Sequence, residues 1–254
     1  MRLALVTGAA SGLGLATARR LAADGMRVVV SDLDERACEG VAQSLDGHGH
    51  VGLRLDVSDE AEVAGTFARI EAEIALVDVL AHFAGTLGRG GMASGVRLID
   101  TTVEEWEKVN RINALGTFLC LREYARCRAE RPVEHGRVIA VTSVVAQTGG
   151  LQSGTAYSAS KGSVLGLVRT AARDLAEAGI TVNCISPGAI DTPMLAKATG
   201  DAEGGTKYRM LDAIPLRRVG GPEEVAAAAA YLASIDAGYV TGATIDVNGG
   251  LFIG

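Results

Sequence analysis

The sequence predicts an α/β protein built on a doubly wound, mostly parallel sheet with helices on both faces, and three observations support this prediction. Apolar runs of strand length alternate with stretches of helical periodicity along the 254 residues. A glycine-rich turn at residues 8–14 joins the first apolar run to the first helical stretch. The chain has 33 glycines and only 4% aromatic residues, which suits Ala-rich helices and tight turns rather than a β-sandwich.

The predicted elements follow one another in the order that a parallel sheet requires. We expect strands at residues 3–6, 27–30, 51–55, 76–81, 137–141 and 181–185. We expect helices at residues 13–24, 59–74, 103–128, 155–178 and 222–234. No linker divides the chain, so we expect one domain over residues 1–254. Two irregular regions, 86–100 and 194–216, follow strands and should lie at the carboxyl edge of the sheet, where such sheets bind ligands.

Composition and charge exclude several functional classes. A formal charge of −6 leaves no basic surface for nucleic acid or for an anionic membrane, and no apolar span reaches the length of a transmembrane helix. The spacing of the four cysteines fits neither a metal site nor a redox motif, so we expect free thiols, no metal, and a cytoplasmic location. Small molecules and other protein subunits are the expected partners.

The glycine-rich turn is the first candidate binding site. Gly8, Gly12 and Gly14 lie between a strand and a helix, where the absence of Cβ atoms lets the backbone approach a pyrophosphate at the helix N-terminus. A purely structural strand-to-helix turn is the alternative interpretation of the same three glycines.

Two carboxylates end the next two strands. Asp32 follows the second strand, where it can accept hydrogen bonds from the ribose diol of a bound adenosine and would repel a 2′-phosphate. No Arg or Lys lies within residues 8–14 to receive such a phosphate, so we expect NAD rather than NADP. Asp56 and Val57 end the third strand, where they can contact the adenine ring, although Asp56 can equally serve as an N-cap for the helix expected from residue 59.

Tyr157 and Lys161 lie four positions apart on a predicted helix and therefore share one face. We expect the ammonium to lower the pKa of the phenol, because hydride transfer from an alcohol needs a base for the hydroxyl proton. Ser143 follows a predicted strand and can hydrogen-bond the substrate oxygen, or can be an ordinary strand-end serine. Asn113 lies inside a predicted helix, which suggests a local role, with a solvent-facing position as the alternative.

Together these motifs resemble the short-chain dehydrogenase/reductase family, in its branch of about 250 residues, over essentially the whole chain. The matching residues include Thr7-Gly8-x-x-x-Gly12-x-Gly14, Asp32, Asp56, Asn113, Ser143, Tyr157-x-x-x-Lys161, Asn183 and Pro187 to Thr192. The resemblance implies a Rossmann-type fold and a homotetramer or dimer. It implies a catalytic tetrad of Asn113, Ser143, Tyr157 and Lys161, with the Asn113 backbone holding a water in a proton relay.

The resemblance also implies where the dinucleotide binds. The expected contacts come from the glycine turn, the strand ends, the tetrad and the segment after the sixth strand: Gly8, Ser11, Gly12, Leu13, Gly14, Asp32, Leu33, Asp56, Val57, Ala84, Gly85, Tyr157, Lys161, Pro187, Ile190 and Thr192.

The chain departs from the family pattern in three places. His82-Phe83-Ala84-Gly85 replaces Asn-Asn-Ala-Gly, and we expect His82 to fill the structural position of the asparagine without a catalytic role. The loop at 86–100 is long and can cover the substrate. The step from Ser143 to Tyr157 is about one residue longer than usual. We therefore expect the substrate pocket to include Val145, Gln147 and Gln152, with Met194 and Tyr208 from a lid near residues 194–216. Lys207 and Arg209 can meet an anionic group there, or can be solvated.

We therefore expect an NAD-dependent alcohol dehydrogenase or carbonyl reductase, with Tyr157 as acid and base. One alternative is an NAD(P)H-dependent reductase of 3-oxoacyl groups or xenobiotic ketones. A non-catalytic dinucleotide-sensing protein on the same fold is the other.

Overall fold

Seven parallel strands form the predicted sheet in the residues that the computed structural model describes, which are 1–88, 97–150, 153–199 and 211–254. The strands are β1 (Leu3–Thr7), β2 (Arg27–Asp32), β3 (Val51–Arg54), β4 (Val79–His82), β5 (Arg137–Val141), β6 (Thr181–Pro187) and β7 (Thr244–Val247). Their order across the sheet is β3-β2-β1-β4-β5-β6-β7. The chain therefore runs outward from β1 and returns to begin again at β4, which leaves a crevice at the carboxyl ends of β1 and β4.

Helices cover both faces of this sheet. In chain order they are α1 (Gly12–Ala23), α2 (Glu35–Ser44), α3 (Glu60–Glu73), α4 (Val103–Asn110), α5 (Gly116–Glu130), α6 (Val145–Thr148), α7 (Thr155–Asp174), α8 (Pro193–Thr199) and α9 (Pro222–Ala233). A π-helical turn, Arg111–Leu115, joins α4 to α5. Among the described helices, none is both long enough and apolar enough to cross a membrane.

The side chains of each central strand alternate between two hydrophobic cores. Leu3 and Leu5 of β1 pack with α3, α5 and α7, whereas Ala4 and Val6 pack with α1, α2 and α9 on the opposite face. Because both faces are buried, the strands are continuous apolar runs, as the sequence shows.

The expected elements are present, with several differences. Helices α2, α6 and α8 and strand β7 are not among the sequence-based expectations. Helix α2 buries only Cys38 and Ala42, α6 and α8 have four and seven residues, and β7 is an edge strand with the exposed Asp246. The π-helical turn interrupts the helix expected at 103–128. Strand β4 begins at Val79, because the backbone of Val77 hydrogen-bonds Glu71 and Arg128 instead of a neighbouring strand.

Candidate functional site

The turn between β1 and α1 is packed so closely that two of its glycines leave no room for a side chain. Gly8 has a φ of 66°, and a Cβ there would lie 2.7 Å from the backbone nitrogen of Ala84. A Cβ at Gly14 would overlap the carbonyl of Gly8. By contrast, a Cβ at Gly12 would meet no atom closer than 3.6 Å, on Thr192. Glycine at positions 8 and 14 therefore lets this turn pack directly against neighbouring backbone at the start of α1.

Asp32 is held in a fixed orientation beside this turn. One carboxylate oxygen accepts from the Ala10 N–H at 3.1 Å, and the other accepts from the Leu33 N–H at 2.7 Å. Asp56 instead accepts from the N–H and hydroxyl of Ser58, at 2.9 and 2.7 Å. The N-cap of α3 is Asp59, which accepts from the Glu62 N–H, so Asp56 is not the helix cap that the sequence left open.

Most of the predicted dinucleotide contacts line one cavity of about 440 Å³, which we call the glycine-loop cleft. Its wall includes twelve of them: Gly8, Ser11, Gly12, Leu13, Gly14, Asp32, Leu33, Asp56, Val57, Ala84, Gly85 and Thr192. The other four, Tyr157, Lys161, Pro187 and Ile190, line a neighbouring cavity of about 420 Å³, which we call the Tyr157 cavity. Leu13, Phe83, Gly85, Thr86, Thr192 and Met194 line both, so the two cavities share a wall.

The Tyr157 cavity brings three of the four predicted catalytic side chains together. Tyr157 and Lys161 project from the first turns of α7, and Ser143 follows the end of β5. The Lys161 ammonium donates to the Val141 carbonyl at 2.9 Å and lies 6.0 Å from the centre of the Tyr157 ring. Burial lowers the pKa of Lys161 to about 8.

The pKa of Tyr157 differs in direction from the sequence-based expectation. Burial raises it above its ordinary value, and the hydrogen bond with Ser143 only partly opposes this effect. The phenol is therefore protonated at neutral pH in the free protein, which is the form that can donate a proton.

Asn113 lies in the π-helical turn and is fully buried, so the solvent-facing alternative is wrong. Its amide oxygen accepts from the Thr86 N–H at 2.8 Å, and its amide nitrogen donates to the Thr86 carbonyl and the Ser160 hydroxyl, each at 2.9 Å. The Asn113 carbonyl accepts from the Thr117 hydroxyl at 2.6 Å. Asn113 thus fixes the chain that leaves β4 against α7.

His82 takes the structural position that the sequence suggests. It is buried at the end of β4, with Nδ1 3.0 Å from the Thr7 hydroxyl. That hydroxyl oxygen also accepts from the N–H groups of Phe83 and Ala84, so its own proton is left for Nδ1, and Nε2 carries the ring hydrogen. Burial, reinforced by the charge of Lys161, lowers the pKa of His82 to about 3, so the ring is neutral.

The structure places only part of the predicted substrate pocket. Val145 and Met194 line the Tyr157 cavity. Gln147 does not: its amide oxygen accepts from the Ser186 hydroxyl at 3.1 Å, which turns the side chain away. Gln152, Tyr208, Lys207 and Arg209, and much of the predicted lid and glycine-rich loop, lie outside the described residues.

Sequence reasoning missed several residues of the cavity wall. Phe83, Leu87, Ser153 and Leu251 all line the Tyr157 cavity. Phe83 stands where the family has an asparagine, and Ser153 lies just before the helix that carries Tyr157. Both positions could therefore have indicated a place on the cavity wall. Leu251 reaches the cavity from the far end of the chain, and no local pattern indicates that.

The four cysteines are unpaired, and Cys38, Cys120 and Cys184 are buried. Among the described residues, no cluster of His, Cys, Asp and Glu side chains is placed to hold a metal ion.

Comparison with known proteins supplies relatives that span the whole chain. The family model described as enoyl-(acyl carrier protein) reductase matches residues 8–252. The chain is 36% identical to 3-oxoacyl-[acyl-carrier-protein] reductase FabG of Escherichia coli (strain K12), covering 99% of this chain and 98% of that protein. It is 39% identical to cis-4-hydroxycyclohexanecarboxylate dehydrogenase of Sinomonas cyclohexanicum, covering 98% of this chain and 96% of that protein.

A solved structure described as ribose-5-phosphate isomerase from Brucella melitensis 16M has the same fold. It matches with a TM-score of 0.89 and 32% identity, and the match covers 99% of this chain and 92% of that one. These relatives and this structure have names that refer to different substrates. The comparisons therefore show the family and the fold and leave the substrate open.

Proposed function

Because this chain belongs to the short-chain dehydrogenase/reductase family of oxidoreductases, we propose that it transfers a hydride between a secondary alcohol, or the matching ketone, and NAD. The observation that carries the proposal is the shared wall of the two cavities. The glycine-loop cleft contains Asp32, and the Tyr157 cavity beside it contains Tyr157, Ser143 and Lys161. A dinucleotide and an alcohol can therefore meet across that wall.

The residues of the glycine-loop cleft fit a dinucleotide. Gly8 and Gly14 let the turn pack directly against neighbouring backbone, and a Cβ at Gly12 would meet no atom closer than 3.6 Å, which is the tight turn that a pyrophosphate site at a helix N-terminus uses. Each Asp32 oxygen accepts one backbone N–H and keeps lone-pair capacity for a ribose hydroxyl. The same carboxylate would repel a 2′-phosphate, which supports NAD over NADP.

The side chains of the Tyr157 cavity fit acid and base roles in alcohol oxidation and ketone reduction. Nicotinamide bound in the cleft supplies the hydride acceptor or donor. The Tyr157 hydroxyl gives its proton to the ketone oxygen, or as phenolate removes the proton of the alcohol. Ser143 donates to that oxygen, and the Lys161 ammonium stabilises the phenolate by its charge.

The raised pKa of Tyr157 sets the expected pH dependence of the two directions. Ketone reduction uses the protonated phenol and is favoured at neutral pH, whereas alcohol oxidation uses the phenolate and should rise as the pH increases. A steady increase in the oxidation rate from pH 7 to pH 10, with the opposite trend for reduction, checks this assignment.

A 3-oxoacyl thioester reductase is the second candidate. Two observations favour it: the named activity of the Escherichia coli relative and a cavity wall on which apolar residues predominate. It uses the same residues in the same roles, so substrate turnover, rather than site geometry, separates it from the first candidate.

The test is a spectrophotometric assay of the NADH signal with a panel of secondary alcohols and ketones, including 3-oxoacyl thioesters, with NAD and NADP in parallel. We expect NAD-linked turnover that Tyr157→Phe reduces by at least a thousandfold, since Tyr157 supplies general acid–base catalysis. Tyr231→Phe, on the exposed side of α9, is the matched control. Binding of NAD without turnover of any compound would favour the dinucleotide-sensing alternative.

A further inference from the structure

Among the described residues, one hydroxyl on the wall of the Tyr157 cavity has no hydrogen-bond partner, whereas the others do. Ser143 accepts from the Val145 N–H, and its hydrogen bond with Tyr157 opposes the rise in the pKa of that phenol. The remaining threonines bond the backbone: Thr142 to Lys161, Thr148 to Val144, Thr192 to Ile190, and Thr86 from the Gly88 N–H. Ser153 is 3% exposed, and its hydroxyl makes no hydrogen bond within the structure as described.

Local structure gives Ser153 no internal role. It stands before Gly154, the N-cap residue of α7, and its side chain does not cap that helix. A buried hydroxyl without a partner destabilises a fold. It is retained without strain when a ligand supplies the missing hydrogen bond.

The charge of the wall limits what that ligand group can be. Lys161 is the one charged side chain among the residues lining this cavity within the described part of the chain, and its ammonium already donates to Val141. An ammonium on the substrate would find no anionic side chain among these described residues, and a carboxylate would find only Lys161, which lies beside Tyr157. This distribution of charge favours an uncharged oxygen as the group that meets Ser153.

We propose that the Ser153 hydroxyl binds a second, neutral oxygen of the substrate, such as an ester, thioester or amide carbonyl on the chain that carries the reacting ketone or carbinol. This inference rests on the proposed function, because it assumes that the reacting carbon lies beside Tyr157 in the same cavity. It narrows the substrate class from secondary alcohols in general to those with a second neutral oxygen.

The test compares matched substrates in wild type and two serine variants. The pair is a 3-oxo ester and the ketone of equal length in which a methylene replaces the ester carbonyl; a 3-oxo thioester and a 3-oxo carboxylate are the further arms. In Ser153→Ala the ratio of kcat/KM for ester over ketone should fall about 5- to 10-fold. Ser158→Ala is the control, because its hydroxyl bonds the Gly154 carbonyl and it does not line the cavity.

A thermal melt of the free protein gives an independent readout. Because the Ser153 hydroxyl has no partner to lose, Ser153→Ala should melt at or above the wild-type temperature. An unchanged ratio, a preference for the carboxylate over the ester, or a melt several degrees below wild type would overturn the inference while leaving the proposed function intact. Failure of the wild type to turn over any of these compounds would overturn both. Equal loss for ester and thioester would show that the shared carbonyl, rather than a carrier, is recognised.

Discussion

Three buried polar residues at the site are each held by a specific hydrogen bond. His82 is held by Thr7, Asn113 by Thr86 and Ser160, and Lys161 by Val141. The sequence singled out these positions, because His82 follows a predicted strand and Asn113 and Lys161 lie on predicted helices. It could not give the partners, because Thr7 and His82 are 75 residues apart and only the β1–β4 pairing brings them together.

The neutral state of His82 should make stability depend on pH. With a folded pKa of about 3 and an unfolded pKa of about 6.5, the unfolded state binds the extra proton between these values, so stability falls as the pH drops below 6.5. The linkage relation gives a loss of about 2 kcal/mol at pH 5 from this residue alone.

Urea unfolding of wild type and His82→Asn at pH 7, 6 and 5 measures this effect, with the exposed His48→Asn as control. The His82 variant should lose less stability on acidification than wild type. Parallel curves for the two proteins would contradict the assignment of a neutral ring.

Asp32 should determine which dinucleotide is used. In Asp32→Ser the charge-assisted bonds to the ribose are lost and the repulsion of a 2′-phosphate disappears. We expect kcat/KM with NAD to fall at least tenfold, and the NADP-to-NAD ratio to rise.

Steady-state kinetics with both dinucleotides measures this ratio. Asp34→Ser is the matched control, because Asp34 caps α2 and does not line the glycine-loop cleft. An unaltered ratio in Asp32→Ser would remove the basis for proposing NAD.

At the scale of elements, α3 and α5 are joined by a buried ion pair. Glu71 accepts from Arg128, which is 2% exposed, and its other oxygen accepts from Arg131 at 2.6 Å. Arg128 also donates to the Val77 carbonyl at 2.8 Å. Because Glu71 and Arg128 bond the backbone of Val77, that residue does not pair with a neighbouring strand. The same cluster holds α3 and α5 against the segment that leads into β4.

Removing the charge of Glu71 should therefore destabilise the fold strongly. Glu71→Gln leaves Arg128 buried without a counter-charge, which typically costs about 3–5 kcal/mol. Glu73→Gln, on the same helix, breaks only the exposed pair with Arg69 and should cost less than about 1 kcal/mol.

The urea midpoint at an unchanged m value measures both effects. Similar small shifts in the two variants would mean that water reaches the Glu71 cluster.

Elements with a strong pattern were predictable, and those that depend on neighbours were not. Helices α1, α3, α7 and α9 agree with their expected bounds to within a few residues, because each carries a clear apolar face. Helix α2 has ten residues and strand β7 has four, and they bury few side chains, so neither gives a long apolar stretch in the sequence. The π-helical turn depends on Asn113 bonding Thr86, a contact across 27 positions that helical periodicity cannot show.

At the scale of the whole molecule, the cavities lie where the strand order reverses, between β1 and β4. The sequence supported this location, because strand ends of a doubly wound sheet collect ligands there. It could not define the substrate wall, which combines residues from five separate parts of the chain. The expected homotetramer or dimer stays a prediction that light scattering can test.

Binding of NAD should stabilise the whole fold. At a concentration of one hundred times Kd, a ligand specific for the folded state contributes about 2.7 kcal/mol, which corresponds to a rise in Tm of about 5–10 °C for a domain of this size. Differential scanning fluorimetry with NAD and NADP at equal concentration measures it.

Gly14→Ala should lose this shift, since its Cβ overlaps the Gly8 carbonyl, whereas Gly40→Ala, in open space on α2, should keep it. A full NAD shift in Gly14→Ala would place the dinucleotide elsewhere.

The two cavities on either side of the shared wall take most of their residues from different halves of the chain. Among the described residues, those before 60 contribute only Leu13 to the Tyr157 cavity, and those after 140 contribute only Thr192, Pro193 and Met194 to the glycine-loop cleft. Substitutions in the second half of the chain can therefore change which substrate binds, while the first half keeps its preference between NAD and NADP. Dinucleotide preference and substrate preference depend on the same residues mainly at Phe83 to Thr86, which lie between the two cavities. A chimaera of two family members joined after Thr86 should therefore combine the dinucleotide preference of one parent with the substrate preference of the other.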